Sequence, residues 1–246
     1  TKLDDSFFDK IEKLSYSEIA FQSIKQFVGS EISEPALKII IEESLNFDFP
    51  LIKIENSIST IELFHGPTMA FKDVGAHFMA RCINYFNRNK KNNITVLVAT
   101  SGDTGGAVAN GFYNLDGVDV VILYPRNRVS SVQKKQLTTL GKNITAIELN
   151  GTFDDCQEMV KKAFLDKEIT SKKELTSANS INIARWLPQM FYFMFAYRDL
   201  KKINKQIVFS VPSGNFGNIC AGMIAQKLGF PFKKFIAANN INNVVE

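Results

Sequence analysis

The stretch Thr95-Val-Leu-Val-Ala-Thr-Ser-Gly-Asp-Thr-Gly-Gly-Ala-Val-Ala-Asn-Gly-Phe-Tyr113 passes from an apolar, β-branched run through a glycine-rich loop into a helix-like segment. Such a turn leaves backbone N–H groups at the positive end of the following helix, where they can cradle an anion. The arrangement recurs downstream: Gln206-Ile-Val-Phe-Ser-Val211 leads through Pro212-Ser-Gly-Asn-Phe-Gly-Asn218 into a helical run over residues 219–228. Both loops would lie at carboxyl ends of strands, the edge where open α/β sheets bind ligands. Neither carries GxxxxGK[ST] or GxGxxG, so neither a Walker loop nor a dinucleotide fingerprint is indicated. Taken singly, each loop also reads as a tight βα turn.

Outward from the first loop, strand-like runs at 95–100, 118–124 and 143–149 alternate with helical runs at 107–113, 132–140 and 153–165. Strands alternating with helices of this length predict an α/β fold with a mostly parallel sheet. Upstream, residues 15–28 read as a helix stopped by Gly29, and a second helix follows Ser33 with Pro35 in its first turn. Strands at 51–54 and 60–64 precede a helix over 74–86. Downstream, the spacing predicts one helix over 183–200, a strand over 206–211, a helix over 219–228 and a short strand over 234–238.

The second strand of the upstream pair runs into His65-Gly-Pro-Thr-Met-Ala-Phe-Lys-Asp73. Lys72 follows Met69-Ala-Phe71, so its ammonium is expected to be partly desolvated, which favours the neutral amine needed for imine formation. The competing reading is a snorkelling lysine beside Asp73. Arg126, at the end of a strand, reads either as a bidentate grip for a phosphate or as a surface arginine. His65, ahead of Gly66-Pro67, reads as a turn histidine, and His77 as a packed one.

Apolar residues make up 45% of the 246 and charged residues 22%, an ordinary soluble-globular balance. The formal charge of +4 is spread over 29 basic and 25 acidic side chains without a dominant basic block, which argues against nucleic acid as a partner. Small acidic substrates remain compatible. Cys82, Cys156 and Cys220 are odd in number and far apart, so neither a disulfide framework nor a metal site is expected and the cytoplasm is the natural compartment. No run is long and apolar enough for a membrane span.

Four motifs, Glu62-Leu-Phe-His-Gly-Pro-Thr-Met-Ala-Phe-Lys-Asp73, Ala99-Thr-Ser-Gly-Asp-Thr-Gly-Gly-Ala-Val108, Asn179-Ser-Ile-Asn182 and Ser210-Val-Pro-Ser-Gly-Asn-Phe-Gly-Asn218, resemble the threonine synthase family. The resemblance runs from about Glu62 to the last residue, and residues 1–45 carry no motif of their own. It implies a two-domain, tryptophan synthase β-like (fold type II) architecture, with residues 1–86 and 186–246 in a larger cofactor-binding domain and 87–185 in a smaller one. It implies pyridoxal 5'-phosphate as cofactor, joined to Lys72, with its phosphate in the cradle of Gly214, Asn215, Phe216, Gly217 and Asn218. By the same resemblance Ser101, Gly102, Thr104 and Gly105 clasp the substrate α-carboxylate, Asp103 faces the cofactor ring, and Arg126, Ser180 and Asn182 line the substrate pocket. The stretch Asn179–Asn182 reads equally as the cap of the helix beginning near Ile183. The implied reaction turns O-phosphohomoserine and water into threonine and phosphate. Rival readings are a dehydratase or β-replacing synthase on the same fold, or a noncatalytic binder of phosphorylated metabolites. The resemblance further implies that segments flanking this sequence, including the residue that meets the pyridine nitrogen, lie outside it.

Overall fold

The computed structural model describes residues 1–90, 92–179, 182–203 and 205–241. They fold as two compact units, Thr1–Leu63 with Trp186–Glu246 and Phe64–Arg185. Residues 64–86 thus pack with the segment that follows them.

The first unit opens with α1 (Asp5–Lys10), capped by Asp4, whose carboxylate accepts the Phe7 N–H. In α2 (Tyr16–Val28) Ser15 and Glu18 form a reciprocal capping box, and Gly29 ends the helix. Ser33 precedes α3 (Glu34–Ser44), which buries Leu37, Ile40 and Ile41 on one face. The strands β1 (Leu51–Glu55) and β2 (Ile58–Ile61) form an antiparallel hairpin.

In the second unit α4 (Asp73–Asn87) precedes β3 (Ile94–Ala99), α5 (Asp103–Phe112) and β4 (Val118–Pro125). Next come α6 (Ser131–Thr138), β5 (Ile144–Leu149) and α7 (Phe153–Leu165). The short α8 (Lys167–Lys172) and the strand β6 (Glu174–Ser177) follow. Neither was expected from the sequence: β6 has a single large apolar residue, Leu175, and α8 buries no side chain. The sheet is parallel throughout, in the order β5-β4-β3-β6. Successive side chains of a strand point to opposite faces. Val96 and Val98 therefore join Met79 of α4 and Val108 and Phe112 of α5 in one core, and Leu97 and Ala99 join Cys156 and Val160 of α7 in another. The chain builds outward from β3 to β5 and then returns to β6 on the other side of β3. That reversal makes the carboxyl ends of β3 and β6 the switch point at which open α/β sheets take their ligands.

The run expected as one helix over 183–200 is divided. It consists of α9 (Ile183–Trp186), a 3-10 turn over Leu187–Gln189 and α10 (Met190–Leu200). Pro188 lacks the N–H that would continue the ladder. Back in the first unit, α10 buries Met190–Ala196 without a gap, and Tyr16 of α2 stacks on Phe195 with ring centroids 4.1 Å apart. The parallel pair β7 (Ile207–Pro212) and β8 (Phe232–Ala238) flanks α11 (Gly217–Lys227) in the chain. Among the described residues no helix is long and apolar enough to cross a membrane.

Candidate active site

Lys72 is the residue on which α4 begins, and the turn before it is closed from within. Asp73 is fully buried; its Oδ2 accepts the Thr68 N–H at 3.0 Å and its Oδ1 accepts the Thr68 hydroxyl. A carboxylate at the first helical position also suits the positive end of the helix. Within this clamp Met69 holds a left-handed φ of 57°. The loop's bracing fixes the backbone from which Lys72 projects.

The Lys72 side chain is 24% exposed, and its Nζ lies 3.9 Å from Asp103 Oδ2 and 5.5 Å from the centre of the Phe71 ring. Desolvation holds the ammonium below the ordinary lysine range; Asp103 opposes that shift and the charge of Arg185 adds to it. Because the folded protein binds this proton less tightly than the unfolded chain, the charged lysine costs stability at neutral pH, and the cost fades as pH rises towards 10.5.

Arg185, a residue the sequence reading passed over, is 2% exposed. Its Nε and Nη1 find no acceptor among the described residues, and burial pushes its pKa down to about 10, so it stays charged at neutral pH. A buried cation without a partner is costly unless an anion arrives. Its backbone is wedged against α4: a Cβ on Gly75 would overlap the Arg185 carbonyl oxygen and come within 3.0 Å of the carbonyl carbon. The two charges facing Lys72 make a directional prediction. Asp103→Asn should move the pH midpoint for acylation of Lys72, followed by peptide mapping, to lower pH, and Arg185→Met should move it to higher pH. Shifts of the same sign would contradict this electrostatic picture.

The glycine loop after β3 is organised by Thr100, which is buried and was also overlooked. Its Oγ1 accepts the N–H groups of Gly102 at 3.0 Å and Gly105 at 2.8 Å. Gly105 is thereby engaged inside the loop, while the N–H groups of Asp103 and Thr104, in the first turn of α5, have no partner within the helix. Ser101 is exposed and Thr104 half-buried. Beside this loop, Asn179 extends the sheet with its side chain: Nδ2 donates to Ala99 O at 2.8 Å and Oδ1 accepts the Ala99 N–H at 3.2 Å. Asn182 donates to Ser177 O at 3.1 Å and accepts the Ala184 N–H at 3.0 Å, so both ends of its amide are engaged in the turn that starts α9. Ser180 lies outside the described residues.

Arg126 follows the last residue of β4, with its side chain 63% exposed and its Nε 4.0 Å from Glu148 Oε1. His65 stacks on Phe64, and His77 is buried with Nε2 3.1 Å from Asn110 Oδ1.

The other unit carries the second glycine loop. Phe216, with a left-handed φ of 58°, turns the chain into α11, and Asn218 Nδ2 donates to Pro212 O at 2.8 Å. Gly214 and Asn215 are exposed, Gly217 is half-buried, and nothing stands within 4 Å of a Cβ built on Gly214. The loop therefore offers open backbone at the start of a helix of three turns, the arrangement that receives phosphate groups.

A family model described as pyridoxal-phosphate dependent enzyme matches residues 61–245, and one described as threonine synthase N terminus matches residues 1–45. The second match covers the segment in which no motif was legible. A threonine synthase of Buchnera aphidicola (subsp. Acyrthosiphon pisum) is 47% identical over 238 residues, covering 96% of this chain and 55% of the relative. The crystal structure of threonine synthase from Escherichia coli superposes with a TM-score of 0.91 at 43% identity, over 99% of this chain and 57% of that one. That of pyridoxal-phosphate-bound threonine synthase from Brucella melitensis gives 0.89 at 37% identity, over 96% and 52%. The chain spans about half the length of the curated relatives it matches.

Proposed function

The chain belongs to the pyridoxal-phosphate dependent enzyme family, and from that premise we propose that the protein is a threonine synthase, converting O-phosphohomoserine and water to L-threonine and phosphate. The named relatives support the reaction. The observation in the chain itself that carries it is the buried Arg185, with two unpaired N–H groups, acting on the same desolvated lysine that Asp103 approaches.

Each unit by itself offers groups that suit a part of pyridoxal 5'-phosphate. Lys72 offers an amine of lowered proton affinity for the carbonyl, and the Gly214–Asn218 loop offers open backbone at the N-terminus of α11 for the phosphate. When bound, the cofactor supplies an electron sink for the bonds at the substrate Cα. Lys72 is the base and acid that moves the proton at Cα and then at Cβ, and the desolvation that lowers its pKa suits it to both directions. The first turn of α5, with Ser101 and Thr104, binds the α-carboxylate, while Thr100 holds Gly102 and Gly105 in place. We assign the substrate phosphate to Arg185 ahead of Arg126, because Arg126 is exposed beside Glu148 whereas Arg185 is buried with its Nε and Nη1 lacking an acceptor among the described residues. A charged guanidinium there binds the dianion and stabilises it as the Cγ–O bond breaks. The phosphate leaves from Cγ, which takes up the proton removed from Cβ and becomes the methyl group, and the hydroxyl of threonine comes from water adding at Cβ. We place the protein in the cytoplasm, since all three cysteines are free thiols.

Full-length protein given pyridoxal phosphate and reduced with borohydride should carry the label on Lys72, and should form threonine and phosphate from O-phosphohomoserine in equal amounts. A keto acid as product would instead point to a dehydratase. Arg185→Met should raise KM for phosphohomoserine by about tenfold or more, with the Lys72 label retained, while Arg126→Ala should stay within about twofold. The reverse ranking would return the phosphate to Arg126.

A further inference from the structure

Gln133 occupies the third position of α6, and both ends of its amide are engaged. Oε1 accepts the Ser130 N–H at 3.0 Å while Ser130 Oγ accepts the Gln133 N–H at 3.2 Å, a capping box. Nε2 donates to Asp103 Oδ1 at 2.8 Å. Capping boxes accept glutamate or glutamine at this position, because only a side-chain acceptor is required. Only glutamine also presents a donor on its other side, and here that donor meets a carboxylate. The backbone opposite makes room for it: Gly102 has a φ of 149°, and a Cβ there would lie 2.5 Å from Gln133 Cδ. Three features therefore converge on one contact: an oriented amide, a glycine that admits it, and an Asp103 carboxylate whose second oxygen lies 3.9 Å from Lys72 Nζ.

We propose that Gln133 is a positioning residue for the reaction: by holding one oxygen of Asp103 it keeps the other facing the Lys72 ammonium. Without that bond a half-exposed aspartate at a helix start is free to turn to water, and Lys72 is left with the repulsive charge of Arg185 as its remaining charged neighbour of note. The α6 cap and the lysine are thus joined by one side chain, so that anything reshaping the first turn of α6 also changes the proton affinity of the amine. The proposal rests on Lys72 being the reacting amine.

A double-mutant cycle on the full-length protein tests it. Gln133→Glu keeps the capping box but replaces the donor with a repelling oxygen; Gln133→Ala removes the donor without adding charge. In an otherwise unchanged protein both should lower kcat/KM by about tenfold, the scale of one charge-assisted hydrogen bond. Gln133→Ala should also move the pH midpoint of Lys72 acylation in the cofactor-free protein downwards, in the direction of Asp103→Asn. In an Asp103→Asn background neither variant should change kcat/KM by more than about twofold, and the midpoint should stay where Asp103→Asn alone puts it. Equal effects in both backgrounds, or no effect in either, overturn the proposal. Acylation reads the Lys72 amine whatever reaction the enzyme performs, so a wrong assignment of substrate would leave this readout interpretable.

Discussion

Replacing Lys72 by alanine in the full-length protein is expected to lower phosphohomoserine turnover by about 10²- to 10⁴-fold, the range for removal of a positioned acid–base group. Lys72→Arg separates chemistry from charge. It keeps a cation beside Asp103, but a guanidinium cannot give up its proton at ordinary pH. It should therefore fall as far as alanine, and both variants should lose the borohydride-stable label at position 72. An arginine variant with substantial turnover would mean that this position contributes charge alone, and a label retained elsewhere would move the amine to another lysine. Circular dichroism should be unchanged and Lys72→Ala should be no less stable than the parent, since among the described residues the side chain makes no close hydrogen bond that a buried partner would miss and its desolvated charge is removed.

The second large effect is on stability. In a helix interior Gly→Ala ordinarily gains about 1 kcal/mol, because alanine is the better helix former. At Gly75 the added Cβ meets the Arg185 carbonyl, a backbone group that cannot rotate aside, so α4 or the start of α9 must shift. Overpacking of this kind costs about 1–3 kcal/mol and occasionally more, and contact with backbone belongs at the upper end. Steric cost should outweigh propensity, and Gly75→Ala should lower the urea unfolding free energy by about 2 kcal/mol. A variant more stable than the parent would show that the two elements can separate without penalty. Because Arg185 belongs to the displaced backbone, KM for phosphohomoserine should rise in the same variant.

The parallel sheet was legible because β3 and β4 are long, β-branched and bounded by glycine loops or helical runs. The flanks were less legible for physical reasons that differ. β6 joins the sheet through backbone bonds to β3, with Ile94 opposite Glu174, and such bonds leave little trace in side-chain pattern. The division of the helix at Leu187–Gln189 falls at Pro188, whose missing N–H breaks the ladder, a signal that the apolar spacing of the run does not carry. Lys72 and the two glycine loops stand out in local sequence. Arg185, Thr100, Asp73 and Gln133 do not, because each acts through a partner that the fold supplies. Arg185 had one available signal: its neighbours Ile183, Ala184, Trp186 and Leu187 are apolar, an unusual setting for an arginine facing water. Gln133 had another, the Ser130-to-Gln133 spacing of a capping box, which predicts the cap and says nothing of Asp103.

The first unit is discontinuous in sequence: Thr1–Leu63 completes its core only with residues after Trp186, as when Leu3 N–H bonds Leu228 O at 2.9 Å and Tyr16 packs on Phe195. On a ribosome adding roughly 5–20 residues per second, the N-terminal helices must wait on the order of ten seconds while Phe64–Arg185 is made. Over that interval α2 and α3 have each other but not α10, whereas the inserted unit holds all of its strands in one continuous stretch and can close as soon as β6 emerges. The inserted unit can thus close before the unit that surrounds it in sequence.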